Sequence, residues 1–520
     1  MTVIHYSYDA NGNVTAADGP AGLRAAATYN GLDEIASFGP VGAPVAGFKY
    51  DPLGRPKSSS LPGGVDASYR YDAAGQIIAL AASKGGAPLR DESYAYDPRG
   101  LMTTRNQPTG PTNYSYDALA RLTAAAHPAI ENVSNPPEAF SYDDSGNRLT
   151  SQTGRFFSSR TPGVVNYIYD DADELTEDSI YTYTYDSLGR RTQRLRKSDG
   201  KKTMYIWNSE DRLTGVKMFR AGASGDTATP TMTATYEYDP LGRRIAKTVN
   251  SVVTRYAYDG MNIVAEYDCE NATCTLLATY GHAPGTIDRP LWMDRAGKRY
   301  TYLYDAQGSV TGLTDDQGRE IARYTYDSFG RPALAVGMIS NPFLYTGREY
   351  DLETGLYYYR ARYYDSDTGQ FITTDPIDEH SYTYVDNSPA NGVDPLGLWK
   401  IYKFAFTLYT YTTPPPIHYI SEIYLGIYKN VDNTADLHAA DAFFQQMGTY
   451  LMAVFPPPPK GNWYWQGNGS DMDRDADGNN RWNSLIGTIG SKIDDFCGPM
   501  NGAPLPIGWC CHDNNIWSGL

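Results

Sequence analysis

The 520-residue sequence contains no apolar run of about eighteen residues, so no membrane-crossing helix is expected. Its start, MTVIHYSYDANG, lacks the basic stretch and apolar segment of a secretory leader, and no signal peptide is readable. Positive charge is scarce: 44 Lys and Arg stand against 60 Asp and Glu, for a formal charge of −16. That balance argues against a nucleic-acid surface and against attachment to anionic lipid by charge. Cysteine is sparse, and its count of five is odd. Cys269 and Cys274 stand where they could close a small hairpin loop, and the reduced pair reads equally well. Cys497, Cys510 and Cys511 crowd the C-terminus, which suggests a tail able to oxidise outside the cytosol.

Tyrosine is what the chain has in excess, with 45 copies among 13% aromatic residues, a bias toward half-buried pleated surface. Tyr-Asp pairs recur roughly every twenty-two residues, from Tyr8-Asp9 through Tyr50-Asp51, Tyr142-Asp143, Tyr185-Asp186 and Tyr238-Asp239 to Tyr364-Asp365, and then stop. Degenerate copies stand at Tyr29-Asn30 and Trp207-Asn208. A fixed period of this size means stacked supersecondary units, none able to bury its apolar face alone. In TYEYDPLGRRIAKTV, alternation gives a strand, Asp239-Pro240-Leu241-Gly242 suits a type I turn, and a second strand follows. The fold class is mainly β: a coiled antiparallel sheet built hairpin by hairpin, followed by a smaller α+β region. A sheet this long must coil, split or close, because flat open edges aggregate. The chain opens inside a repeat, as a short cassette from a longer array would.

The YDxxGR and YDxxGN repeats resemble the YD repeats of Rhs proteins, toxin-complex C subunits and teneurins. The stretch from Gly347, GREYDLETGLYYYRARYYDSDTGQFITTDPIDEHSYTYVDNSPANGVDPLGL, is similar to the Rhs repeat-associated core. The resemblance implies a repeat shell over 1–346, a core over 347–398 and a variable toxin-like tail over 399–520, with the β cocoon enclosing its own C-terminal polypeptide. It also implies an intramolecular aspartyl protease. Carried onto this chain, Asp375 and Asp394, each followed by proline, are the catalytic pair, and Leu398–Trp399 is the scissile bond. Two carboxylates held close do not both ionise easily, so one can act as acid while the other activates water. Arg360 and Arg362, in the RxRYYD motif, would bias which carboxylate keeps its proton. The competing reading makes both Asp-Pro pairs ordinary turn starters.

After Leu398 the composition changes, as at the junction where Rhs proteins exchange toxin domains. KFAFTLYTY and HYISEIYLGIY read as strands. A helix follows, capped by Thr434, with Leu437, Ala440, Phe444, Met447 and Leu451 at helical spacing, and Pro456 to Pro459 end it. Asp473, Asp475 and Asp477 before Gly478 have the spacing of half a calcium loop, although Ser484 stands where a bidentate Glu is needed. An acid-rich surface loop is the alternative. FCGPMNGAPLPIGWCCHDNNIW resembles secreted phospholipase A2. That resemblance would make His512 the general base and Asp513 a calcium ligand beside the loop at Gly498. Cys511 abuts His512, and Ile516 replaces the tyrosine usual in that family; both departures weaken the match. Calcium is thus a cofactor expectation for the tail, with none for the shell. The expected partners are the chain's own tail as cargo, a cognate immunity protein and a secretion-system carrier, and the expected location is secreted or cell-surface. An adhesive surface protein and a decayed toxin cassette without activity are the competing functional readings.

Overall fold

Each repeat turns on one aspartate. At Asp239, Oδ1 accepts the amides of Leu241 (3.0 Å) and Arg243 (2.9 Å), and Oδ2 pairs with the Arg243 guanidinium at 2.7 Å. The Gly242 amide closes the turn on the Asp239 carbonyl, as in a type I turn followed by a left-handed residue. Ala120, Asp173 and Asp211 take the left-handed position in turns without glycine. In most repeats the tyrosine before the aspartate sits at a bulge and reaches backward. The Tyr238 hydroxyl donates to the Leu213 carbonyl, Tyr142 to Leu122, and Tyr258 to Arg244. The arginine reaches forward, with Arg121 donating to the Asp143 carbonyl and Arg243 to that of Gly260. These hairpins are thereby tied to their neighbours.

The degenerate copies use the same device. The Trp207 indole N–H donates to the Arg191 carbonyl at 2.8 Å, where a tyrosine hydroxyl would. Asn208 Oδ1 accepts the amides of Glu210 and Arg212, as an aspartate would.

The computed structural model describes residues 3–42, 45–128, 137–152, 163–222, 229–270, 273–337, 339–376 and 382–398. In the tail it describes 407–410, 417–420 and 463–464. Two compact units emerge, the first holding Met1–Asp9, Val14–Tyr29 and Ile35–Ile401 and the second the remainder.

In the first unit the described residues form a thirty-stranded antiparallel sheet from His5–Tyr8 to Pro332–Val336, and each strand pairs with the next in sequence. The sheet winds back on itself. Phe38 meets Trp292 with ring centroids 5.3 Å apart, and Thr301 donates to the Pro62 carbonyl. Arg90 reaches the Thr311 carbonyl and Glu320, and the Ser328 amide meets the Glu138 carboxylate. Cys269 and Cys274, opposite each other in a hairpin, form a disulfide.

A second, four-stranded sheet over Glu349–Asp351, Leu356–Tyr359, Arg362–Asp365 and Gln370–Phe371 is buried on both faces. Its alternation feeds two clusters. Tyr357, Tyr359, Tyr364 and Phe371 join Tyr384, while Leu356, Tyr358, Tyr363 and Ile372 pack on Tyr205, Val216 and Tyr236. Arginines of the long sheet anchor it. Arg191 pairs with Asp365 at 2.9 Å, and Arg244 pairs with Asp351 at 2.5 Å and Glu349 at 3.0 Å, all buried.

In the second unit, Thr407–Thr410 pairs antiparallel with Ile417–Ile420 on one side and Trp463–Tyr464 on the other. Thr407–Thr410 falls within the first segment read as a strand and Ile417–Ile420 overlaps the second, whereas Trp463–Tyr464 lies outside both. The helix expected over Thr434 to Leu451 lies outside the described residues. Among the described residues no helix is long and apolar enough to cross a membrane.

Candidate functional site

The hairpin Tyr359-Arg360-Ala361-Arg362 has a two-residue turn, with Tyr359 opposite Arg362. Arg360 adopts φ +61° there, a left-handed conformation that such turns usually give to Asn or Gly. The segment 394–398 lies against this turn. The Ala361 amide donates to the Leu396 carbonyl (3.1 Å), and Arg362 Nε donates to the Gly397 carbonyl (2.5 Å). Gly397 has φ +69°, and a Cβ there would stand 2.4 Å from the Tyr359 carbonyl oxygen, so only glycine lets the two backbones approach.

Arg362 joins the two expected catalytic carboxylates. Its Nη2 lies 2.6 Å from Asp375 Oδ2 and 3.5 Å from Asp394 Oδ2, and its guanidinium stacks 3.6 Å above the Phe371 ring. All three charged groups are at most 3% exposed. Asp394 also starts a turn of the repeat kind, since Oδ1 accepts the amides of Leu396, Gly397 and Leu398 at 3.2, 2.8 and 3.1 Å. Turn starting and an arginine-bridged acid pair therefore coexist in one residue. The cation between the carboxylates offsets their mutual repulsion. Chemically, the arrangement offers two buried acids and a guanidinium gripping the backbone just before residue 399.

Arg360 points elsewhere. Its guanidinium donates to the Pro395 carbonyl and pairs with Asp288 at 2.6 Å. Asp288 also holds Arg348 at 2.5 Å. Burial pushes the Asp288 carboxyl up, but Arg348 and Arg360 outweigh it and hold the group below the usual carboxylate range. Beside it, burial lowers His282 to about 4, against the raising effects of its hydrogen bond to the Ile263 carbonyl and of Asp288.

Sequence reasoning missed Asp288 and Arg348. Asp288 belongs to no repeat and sits in a loop without a motif. It also missed the inward role of Arg191 and Arg244, although a signal was present: each follows a turn arginine, and strand alternation sends the second of two neighbours to the opposite face. Trp399, His512, Asp513, Gly498, Asp473, Asp475 and Asp477 lie outside the described residues. Among the described residues no cluster of three or more His, Cys, Asp or Glu could hold a metal ion.

A wound repeat sheet with a buried acid pair at its inner hairpin defines a YD-repeat shell with a core. Residues 105–406 match the teneurin YD-shell family, and residues 50–87 match the RHS repeat. The chain belongs to this Rhs/YD-shell family. It is 34% identical over 399 residues to the tRNA3(Ser)-specific nuclease WapA of Bacillus spizizenii, covering 74% of this chain and 16% of that protein. It is 25% identical over 386 residues to the double-stranded DNA deaminase toxin A of Burkholderia cenocepacia, covering 67% and 24%. The chain thus spans no more than about a quarter of either relative. Its fold matches the TcdB2–TccC3 complex solved without its hypervariable C-terminal region, with a TM-score of 0.62 at 18% identity. That match covers 76% of this chain and 21% of the other.

Proposed function

We propose that the chain is the shell-and-core part of a polymorphic toxin whose core cuts its own backbone between Leu398 and Trp399, releasing residues 399–520 as an effector. The observation that carries the reading is Arg362, which bridges Asp375 and Asp394 while gripping the Gly397 carbonyl. In the step envisaged, one carboxylate takes a proton from water, and the water oxygen adds to the Leu398 carbonyl carbon. The C–N bond to Trp399 breaks, and the other carboxyl gives its proton to the departing nitrogen.

The relatives support an exchangeable tail. A tRNA nuclease and a DNA deaminase toxin each align with at least two thirds of this chain, and the matched complex had its hypervariable C-terminal region removed. On this reading 1–346 is shell, 347–398 core and 399–520 cargo. The protein acts between competing bacteria after export by a secretion machine, and a cognate immunity protein protects the producer. The tail's own chemistry, including the calcium and phospholipase A2-like assignment, rests on its sequence alone.

Intact masses of the full chain, beside Asp375→Asn and Asp394→Asn variants, test the cleavage. Two fragments are expected from the parent and one uncut mass from each variant. An uncut parent, or variants that still cut, overturns the reading.

A further inference from the structure

The core arginines are held from outside the core. Asp288 belongs to the loop between the long-sheet strands Thr273–Gly281 and Trp292–Arg295, about sixty residues before the core begins. Yet three core features converge on it. Arg348 pairs with Oδ1 at 2.5 Å, and Arg360 pairs with Oδ1 at 2.6 Å and Oδ2 at 3.0 Å. Gly347, at φ +72°, comes so close that a Cβ would stand 2.0 Å from the Asp288 carbonyl oxygen. The loop is itself propped. The Asp288 amide donates to Asn262 Oδ1 (3.2 Å), and Asn262 Nδ2 donates to the Thr286 carbonyl (2.6 Å).

Downstream, Arg360 donates to the Pro395 carbonyl, inside the turn that Asp394 opens and that ends at the junction. Arg360 occupies a left-handed backbone position that an L-residue rarely adopts. Such strain persists only where surrounding contacts hold it, and Asp288 supplies the buried counter-charge.

We propose that Asp288 is a positioning residue for self-cleavage: the shell's 282–290 loop sets Arg360, and through it the 394–398 turn, so that the cutting geometry forms only once the shell has closed on the core. This rests on the cleavage reading above and adds its regulation. The chain would cut after wrapping and not before, because half of the ion pair that fixes the junction comes from the shell wall.

The test is the rate at which the full-length chain converts to two fragments, by intact mass over time. The variants are Asp288→Asn, Asp288→Glu, Arg360→Gln and the Asp288→Asn/Arg360→Gln double. Asp288→Asn is expected to cut slower by on the order of a hundredfold, the scale of a misplacement remote from the chemistry. Asp288→Glu should regain part of that rate. The double variant should lose far less than the product of the two single losses, because both changes break the Asp288–Arg360 link; a purely structural loss would instead multiply. Multiplying effects overturn the positioning role. A parent that cuts beside an Asp288→Asn chain cutting equally fast overturns it too, and leaves the cleavage reading standing. A parent that never cuts overturns both. Should Asp288→Asn fail to fold, Asn262→Ala decides, since it keeps every charge and removes only the loop's prop. A slowed Asn262→Ala chain supports the role, and an unchanged rate overturns it.

Discussion

Single side chains set the repeat. The Tyr-Asp pair joins two functions in adjacent residues, a donor that reaches the previous hairpin and an acceptor that closes the next turn. That explains why Trp207-Asn208 keeps the array intact, since an indole N–H still donates and an amide oxygen still accepts. Trp207→Phe should therefore cost about 1 kcal/mol relative to Trp207→Tyr, read from urea unfolding midpoints, because only the former leaves the Arg191 carbonyl without its donor. One buried acid predicts a pH dependence. Burial first, and then the neighbouring Glu138, raise Asp327 to about 7, against the lowering effects of Arg331 and the turn amides. A carboxyl raised in the fold contributes stability that is full below its unfolded value near 4 and lost as pH rises through about 7. Melting temperatures should fall between pH 5 and pH 8 more steeply in the parent than in Asp327→Asn, and equal slopes would refute this.

At the scale of elements, the strand-turn-strand unit was legible in the sequence because its determinants are local: alternation, a turn aspartate and a left-handed residue. The acid pair was legible only through the Asp-Pro motifs, and Asp288 was not legible at all. Its partners Arg348 and Arg360 follow 60 and 72 residues later, and no local pattern encodes an ion pair across that distance. The inner arginines sharpen the point. Arg244 has two buried carboxylate partners, so Asp351→Asn should destabilise by less than the ~3–5 kcal/mol of a stranded buried cation, because Glu349 still pairs with it. Arg148 differs. Its Nε and Nη2 have no hydrogen-bond partner among the described residues, and its guanidinium lies over the Phe329 ring at 3.8 Å. Arg148→Met should therefore be neutral or stabilising, and thermal melts of the two variants should move differently.

At the scale of the whole molecule, the first unit ties its wall to its core by charge and its hairpins to one another by hydrogen bonds. The long sheet ends at Val336, the core sheet opens at Glu349, and the described core ends at Leu398, held to Asp394 through its amide. On the proposed cleavage reading, a turn held this firmly is what a defined cut requires. The most direct test is the N-terminal sequence of the smaller fragment released from the purified full chain. Trp399-Lys400-Ile401 in the parent, with no such fragment from Asp394→Asn, is the predicted result. Another N-terminus, or the same fragment from the variant, would contradict self-cleavage by this acid pair.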